Sequence, residues 1–188
     1  MVKPPDQGDR AMTNASPWTS VSMPYVSGQR GDAWGAEAAA HGGTGTQKLL
    51  GVEEVPAPAV VAHMLGLAAD DPVIVRRRLM LFDDHPVEIT DSYYPAAIAR
   101  STRLAEARKI PGGAVALLAD IGHRPSHVRE DVSARLATPD EQALLRLGVQ
   151  SCVLLLARTL FAEKDLPVEA SVMTMTADGR RLRYELTP

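Results

Sequence analysis

The stretch from Val73 to Pro95 constrains this chain most. Apolar, β-branched and aromatic residues flank the polar turn Asp83–Pro86, and this pattern predicts two strands joined in a hairpin. Hairpin strands pair antiparallel. Side chains two apart share a face of a strand. Arg76, Arg78 and Met80 therefore point one way on the first strand, while Glu88, Thr90, Ser92 and Tyr94 line one face of the second. Arg77 points away. A sheet face that mixes guanidinium, carboxylate and hydroxyl groups suits a small polar ligand, and Arg78 is its first candidate contact. The alternative for Arg78 is an ion pair across the sheet with Glu88 or Glu169.

The remaining elements follow from caps and periodicity. Residues 1 to about 31 contain Pro4, Pro5, Pro17 and Pro24 with little periodicity, so they read as a linker or loosely ordered arm that Trp18 or Tyr25 could dock. Asp32 can cap a short alanine-rich helix that Gly42 stops. Gln47 to Val55 reads as a strand, and Pro58 starts a helix that Gly66 ends. A helical turn is expected over Pro95 to Arg100, an apolar helix from Gly113 to Gly122, and a strand from His127 to Ala137. Thr138, Pro139 and Glu141 form the strongest local signal, a capping box with proline at the first helical position, and Gly148 is the expected stop. Strands then run over Ser151–Ala162 and Pro167–Thr176. A last strand beyond Gly179 is expected to put Leu182, Tyr184 and Leu186 on the core. About six strands joined mainly by hairpins, with helices between them, make an α+β fold with an antiparallel sheet.

Composition narrows the functional classes. At 188 residues with 45% hydrophobic residues the chain can build one domain with a real core. The formal net charge of −3 argues against a basic nucleic-acid footprint on this chain. Cys152 is the single cysteine, which removes intrachain disulfides and cysteine-rich zinc sites, and its apolar surroundings predict a buried structural thiol. No apolar run approaches the ~20 residues of a membrane span, so no membrane partner is expected and the cytoplasm is the default compartment. Gly42–Thr46 lacks the Walker lysine spacing of a phosphate loop. His123 and His127 are separated by Pro125 and read as surface histidines rather than a metal pair. No catalytic residue, metal site or cofactor is expected, and Glu88 and Glu169 are the only acids on which an enzyme reading could rest.

Certain phrases carry a resemblance. An arginine-bearing strand, a polar turn, Pro86-Val87 and Ser92-Tyr93-Tyr94-Pro95 precede an apolar helix ending in glycine and the Thr138-Pro139 helix. Arg158 and Pro167-Val168-Glu169 follow. This order resembles UTRA domains, the effector-binding halves of GntR-type transcriptional regulators of the HutC subfamily. The resemblance implies a chorismate-lyase-like fold over residues 45–188, preceded by a linker or N-terminal arm over 1–44. It also implies a small-molecule effector, a homodimer, and operator DNA bound by a winged helix-turn-helix that this chain is expected to lack. A small enzyme on the same fold and a ligand-free dimerisation module are the alternatives.

In members that bind sugar phosphates, the resemblance places a second arginine at Met80 and a glutamate at Thr90. It places phosphate-gripping residues near Gly112 and Ala114, and a late tyrosine at Leu182. Losing those charge-assisted bonds, each about 1.5–3 kcal/mol, disfavours a sugar phosphate. The expected effector is less charged and partly apolar, with contacts drawn from Arg78, Arg76, Met80, Glu88, Thr90, Ser92, Gly112, Ala114, Glu169 and Leu182. Glu169 has an alternative partner in Arg158.

Overall fold

The computed structural model describes residues 18–20, 22–26 and 31–185. In chain order these are β1 (Trp18–Ser20), α1 (Met23–Val26), α2 (Ala33–Ala40), β2 (Gly45–Pro56), α3 (Ala59–Leu65), β3 (Pro72–Phe82), β4 (His85–Pro95) and α4 (Ala96–Ala99), then α5 (Ala114–Asp120), β5 (Pro125–Leu136), α6 (Pro139–Leu145), β6 (Cys152–Ala162), β7 (Leu166–Thr176) and β8 (Arg180–Leu182). Six strands form one antiparallel sheet in the order β2-β3-β4-β7-β6-β5. This is the expected α+β architecture, and the hairpin of β3 and β4 lies within a residue of its predicted bounds.

The sheet is built from two similar halves. β2-α3-β3-β4 has elements of 12, 7, 11 and 11 residues, and β5-α6-β6-β7 has the same lengths. At a constant separation along the chain, Gly66 matches Arg146 and Asp70 matches Gln150, and all four hold positive φ. Val73 matches Val153, Arg78 matches Arg158, and Pro86-Val87-Glu88 recurs as Pro167-Val168-Glu169 after a turn longer by one residue. The halves join where β4 pairs with β7.

One face of the sheet is covered by α3 and α6. Val61, Ala62 and Leu65 of α3 pack on Val73 and Ala170, while Leu145 of α6 packs with Ile89 and Val153. Burial of each valine, leucine or isoleucine among them contributes roughly 1.5–3 kcal/mol. The opposite face carries a second cluster, in which Tyr94, Leu104, Leu118 and Leu160 are almost wholly enclosed. At β2, α2 approaches so closely that a Cβ on Gly45 would stand 2.8 Å from Ala38 and Trp34.

Three local expectations are corrected. The helix after Thr138 ends at Arg146, which takes the left-handed conformation (φ 54°), not at Gly148, because Leu147 leaves the helical path to pack beside Leu145 while its N–H donates to the Gln142 carbonyl. Cys152 is exposed, since it opens β6 opposite Leu136 at the end of an edge pair. The last strand does not join the main sheet. β7 lies between β4 and β6, so both its hydrogen-bonding edges are occupied, and β8 pairs instead in parallel with β1. Tyr184 is consequently 51% exposed, while Leu186 lies outside the described residues. No helix among the described residues is long and apolar enough to cross a membrane.

Candidate effector site

The face opposite α3 and α6 encloses a cavity of about 350 Å³, within the range typical of small-molecule sites. Register explains what lines it. Arg78 pairs with Thr90, Thr90 with Met173, and Met173 with Leu156, so alternate residues of β3, β4, β7 and β6 reach the same face. Eight expected residues border this cavity: Arg78, Met80, Glu88, Thr90, Gly112, Ala114, Glu169 and Leu182.

Arg76 and Ser92 do not. Arg76 shares the face of Arg78, as its spacing requires, but it is only 4% exposed. Its guanidinium donates to the carbonyls of Leu104 (2.8 Å), Glu106 (2.7 Å) and Arg108 (2.7 Å). This corrects the reading of Arg76 as a contact in the main cavity. The arginine ties the 103–108 loop to the sheet and borders a smaller neighbouring void of about 110 Å³. Ser92 is fully buried beneath Arg78, whose Nη2 donates to its hydroxyl at 2.8 Å.

Two ion-pair expectations also change. Arg158 does not pair with Glu169. It meets Glu130, directly opposite on β5, at 2.5 Å, and donates to Ser22 at 3.1 Å. Burial works to raise the Glu130 carboxyl, but the Arg158 charge, together with hydrogen bonds from Ser22, Arg158 and Tyr184, brings it below the ordinary value. Arg78 has no ion pair with Glu88. Glu88 binds Arg180 at 2.9 Å and accepts from Thr90 at 2.7 Å, and Arg180 also reaches Glu37 at 3.6 Å.

These pairings leave two buried polar atoms without a hydrogen-bond partner among the described residues, Arg78 Nε and Glu169 Oε2. Glu169 is 8% exposed. A chain of hydroxyls connects the two side chains: Arg78 Nη2 donates to Ser92, Ser92 and Ser171 lie 2.8 Å apart, and Ser171 donates to Glu169 Oε1 at 2.7 Å. Tyr94 stands beside them, its phenol pKa pushed up first by burial, then by the negative charge of Glu169 and by a hydrogen bond to that carboxylate. Buried polar groups are nearly always satisfied, so one guanidinium nitrogen and one carboxylate oxygen left unpaired beside one cavity mark a candidate place for an occupant. No group of three or more His, Cys, Asp or Glu residues able to hold a metal occurs among the described residues.

The described N-terminal residues form part of the cavity wall. Ser22 donates to Glu130 at 2.9 Å, and the Tyr25 hydroxyl donates to Glu37 at 2.5 Å. Burial is the main reason the Tyr25 phenol is held un-ionised. Trp34 Nε1 donates to the carbonyls of Thr46 and Leu81, anchoring α2 on the β2–β3 edge. Sequence reasoning missed Arg180, Glu37, Ser171 and Glu130 as neighbours of the site. The internal repeat was a signal for one of these, because it sets Ser171 at the position of Thr90, whereas Arg180 and Glu37 lie outside both halves.

Comparison with known proteins agrees with this architecture. The family model described as the UTRA domain matches residues 40–180. An uncharacterized HTH-type transcriptional regulator of Rhizobium meliloti is 34% identical over 143 residues, 73% of this chain and 56% of the relative. One from Streptomyces coelicolor is 33% identical over 124 residues, 64% of this chain and 46% of the relative. The chain thus spans about half the length of these curated relatives. In fold, it is similar to the effector domain of PhnF from Mycobacterium smegmatis (TM-score 0.70, 21% identity, 82% of this chain and 94% of that one). It is also similar to the C-terminal domain of the histidine utilization repressor from Pseudomonas syringae pv. tomato (TM-score 0.65, 23% identity, 77% and 99%).

Proposed function

The chain belongs to the UTRA domain family, the effector-binding domains of GntR-type transcriptional regulators, and on that premise we propose that it senses a small molecule and thereby modulates operator binding. In this reading DNA is held by a separate winged helix-turn-helix domain, the regulator is a homodimer of the HutC subfamily, and it works in the cytoplasm. The observation that carries the proposal is the pair of unsatisfied groups, Arg78 Nε and Glu169 Oε2, beside a cavity of about 350 Å³.

A ligand affects DNA binding only through a difference in affinity between conformations. The N-terminal residues are well placed to register that difference, because Ser22 and Tyr25 lie in the cavity wall. An occupant that shifts either residue alters how the chain before α2 leaves the domain. The effector is not a sugar phosphate in this reading, since Met80 and Leu182 supply apolar surface where sugar-phosphate sensors are expected to carry polar groups.

The test is retention of a metabolite. Purified protein is incubated with cell extract, washed, and its contents released and identified by mass spectrometry, with an Arg78→Met variant in parallel. The expected result is one small molecule held near stoichiometry by the parent and lost from the variant. Retention of nothing from extracts of several growth conditions would overturn the proposal.

A further inference from the structure

The charged groups of the cavity largely cancel within the protein. Arg180 is shared by Glu88 and Glu37, Arg158 is matched by Glu130, and Lys109 stands 3.7 Å from Asp32. Arg78 and Glu169 remain, each without an ion pair to a described residue and each with a buried unpartnered atom. Three hydrogen bonds of 2.7–2.8 Å, through Ser92 and Ser171, connect their charged ends. Those ends can therefore stand no further apart than three hydrogen bonds laid end to end. A carboxylate on Arg78, one carbon, and an ammonium on Glu169 would bridge the same span.

Resting on the effector reading above, we propose that the ligand is a zwitterion of the α-amino acid type with a neutral, apolar side chain. Its carboxylate binds Arg78, its ammonium binds Glu169, and the two serine hydroxyls form the floor between them. Each simpler class leaves a charge unanswered. A dianionic phosphate would meet one guanidinium and be repelled by Glu169. A simple amine would satisfy Glu169 and face Arg78. An uncharged molecule would offer neither side chain a charge in return for the water it displaces, which is costly. The apolar side chain follows from the walls, where Met80, Leu156, Met173 and Met175 supply adaptable hydrophobic surface.

The experiment titrates the intact chain by calorimetry with L-leucine, L-methionine and L-phenylalanine. Two truncations of leucine are measured beside them, 4-methylpentanoate without the amino group and 3-methylbutylamine without the carboxylate. At least one amino acid is expected to bind tenfold or more tighter than both kinds of truncation. Glu169→Gln should abolish the preference over the carboxylate, and Arg78→Gln the preference over the amine, with the parent's unfolding temperature checked in each variant. Equal binding of amino acid and truncated carboxylate, or no binding of any of the three amino acids, would overturn the zwitterion. Retention from extract of a metabolite of another class would then leave the sensor reading standing, whereas an empty protein would remove both.

Discussion

The two halves of the sheet repeat each other in element lengths and turns, yet they settle their charges differently. In the half made by β5, α6, β6 and β7, Arg158 faces Glu130 across the β5–β6 ladder and the pair is closed. In the half made by β2, α3, β3 and β4, the matching arginine is Arg78, and the residue facing it on β2 is Leu49. The glutamates diverge in the opposite sense. Glu88 in the first half is neutralised by Arg180, while Glu169 in the second forms no ion pair with a described residue. One arginine and one glutamate are thus left over from opposite halves, and the hydroxyls of Ser92 and Ser171 connect them across the β4–β7 seam where the halves join.

The comparison breaks most sharply at the matched arginines. Arg158→Met leaves Glu130 buried without its counter-charge and is expected to cost about 3–5 kcal/mol in urea unfolding. Arg78→Met removes a charge that forms no ion pair with a described residue and should change stability by less than about 1 kcal/mol. Similar losses at both positions would mean the halves do not differ as described.

A second test restores the missing partner. Leu49→Glu gives the first half the equivalent of Glu130, and the new carboxylate should pair with Arg78. Retention of the effector is expected to weaken at least tenfold, about 1.4 kcal/mol, while the fold persists. Undiminished retention in this variant would show that Arg78 does not need to be available for binding.

The smallest effects separate the matching helices. α6 begins with a capping box in which Thr138 and Glu141 exchange hydrogen bonds, whereas α3 begins at Pro58 with no side-chain cap. Thr138→Ala should cost about 1 kcal/mol. The hydrogen bond from Arg135 is the main influence holding the Glu141 carboxyl at about 2, against its ordinary 4.5. Because the folded value is the lower one, this stabilisation is fully present above about pH 4.5 and is lost as pH falls towards 2. Glu141→Gln should flatten that part of the acid-unfolding profile, and an unchanged profile would remove Glu141 from it.

Local chemistry made much of the fold legible. Alternation defined the hairpin of β3 and β4, and the capping box placed the start of α6 correctly. Failures occurred where the deciding partner is remote in sequence. Nothing near Gly179 reveals that both edges of β7 are taken, so β8 was expected in the main sheet. The pairing of Arg158 depends on the β5–β6 register, which brings up Glu130 from 28 residues away. The spacing of Arg76 correctly put it on the face of Arg78, but its fate is decided by carbonyls of the loop around residues 104–108. The unmatched state of Arg78 and Glu169 depends on every neighbouring pair at once, so no local pattern could disclose it.

The most direct measurement is a crystal structure of the protein carrying the metabolite it retains from extract. Electron density in the cavity should place a ligand acceptor within hydrogen-bond distance of the Arg78 guanidinium and a ligand donor at the same distance from the Glu169 carboxylate. Density for the retained molecule elsewhere, with only water beside these two groups, would contradict the assignment of the site.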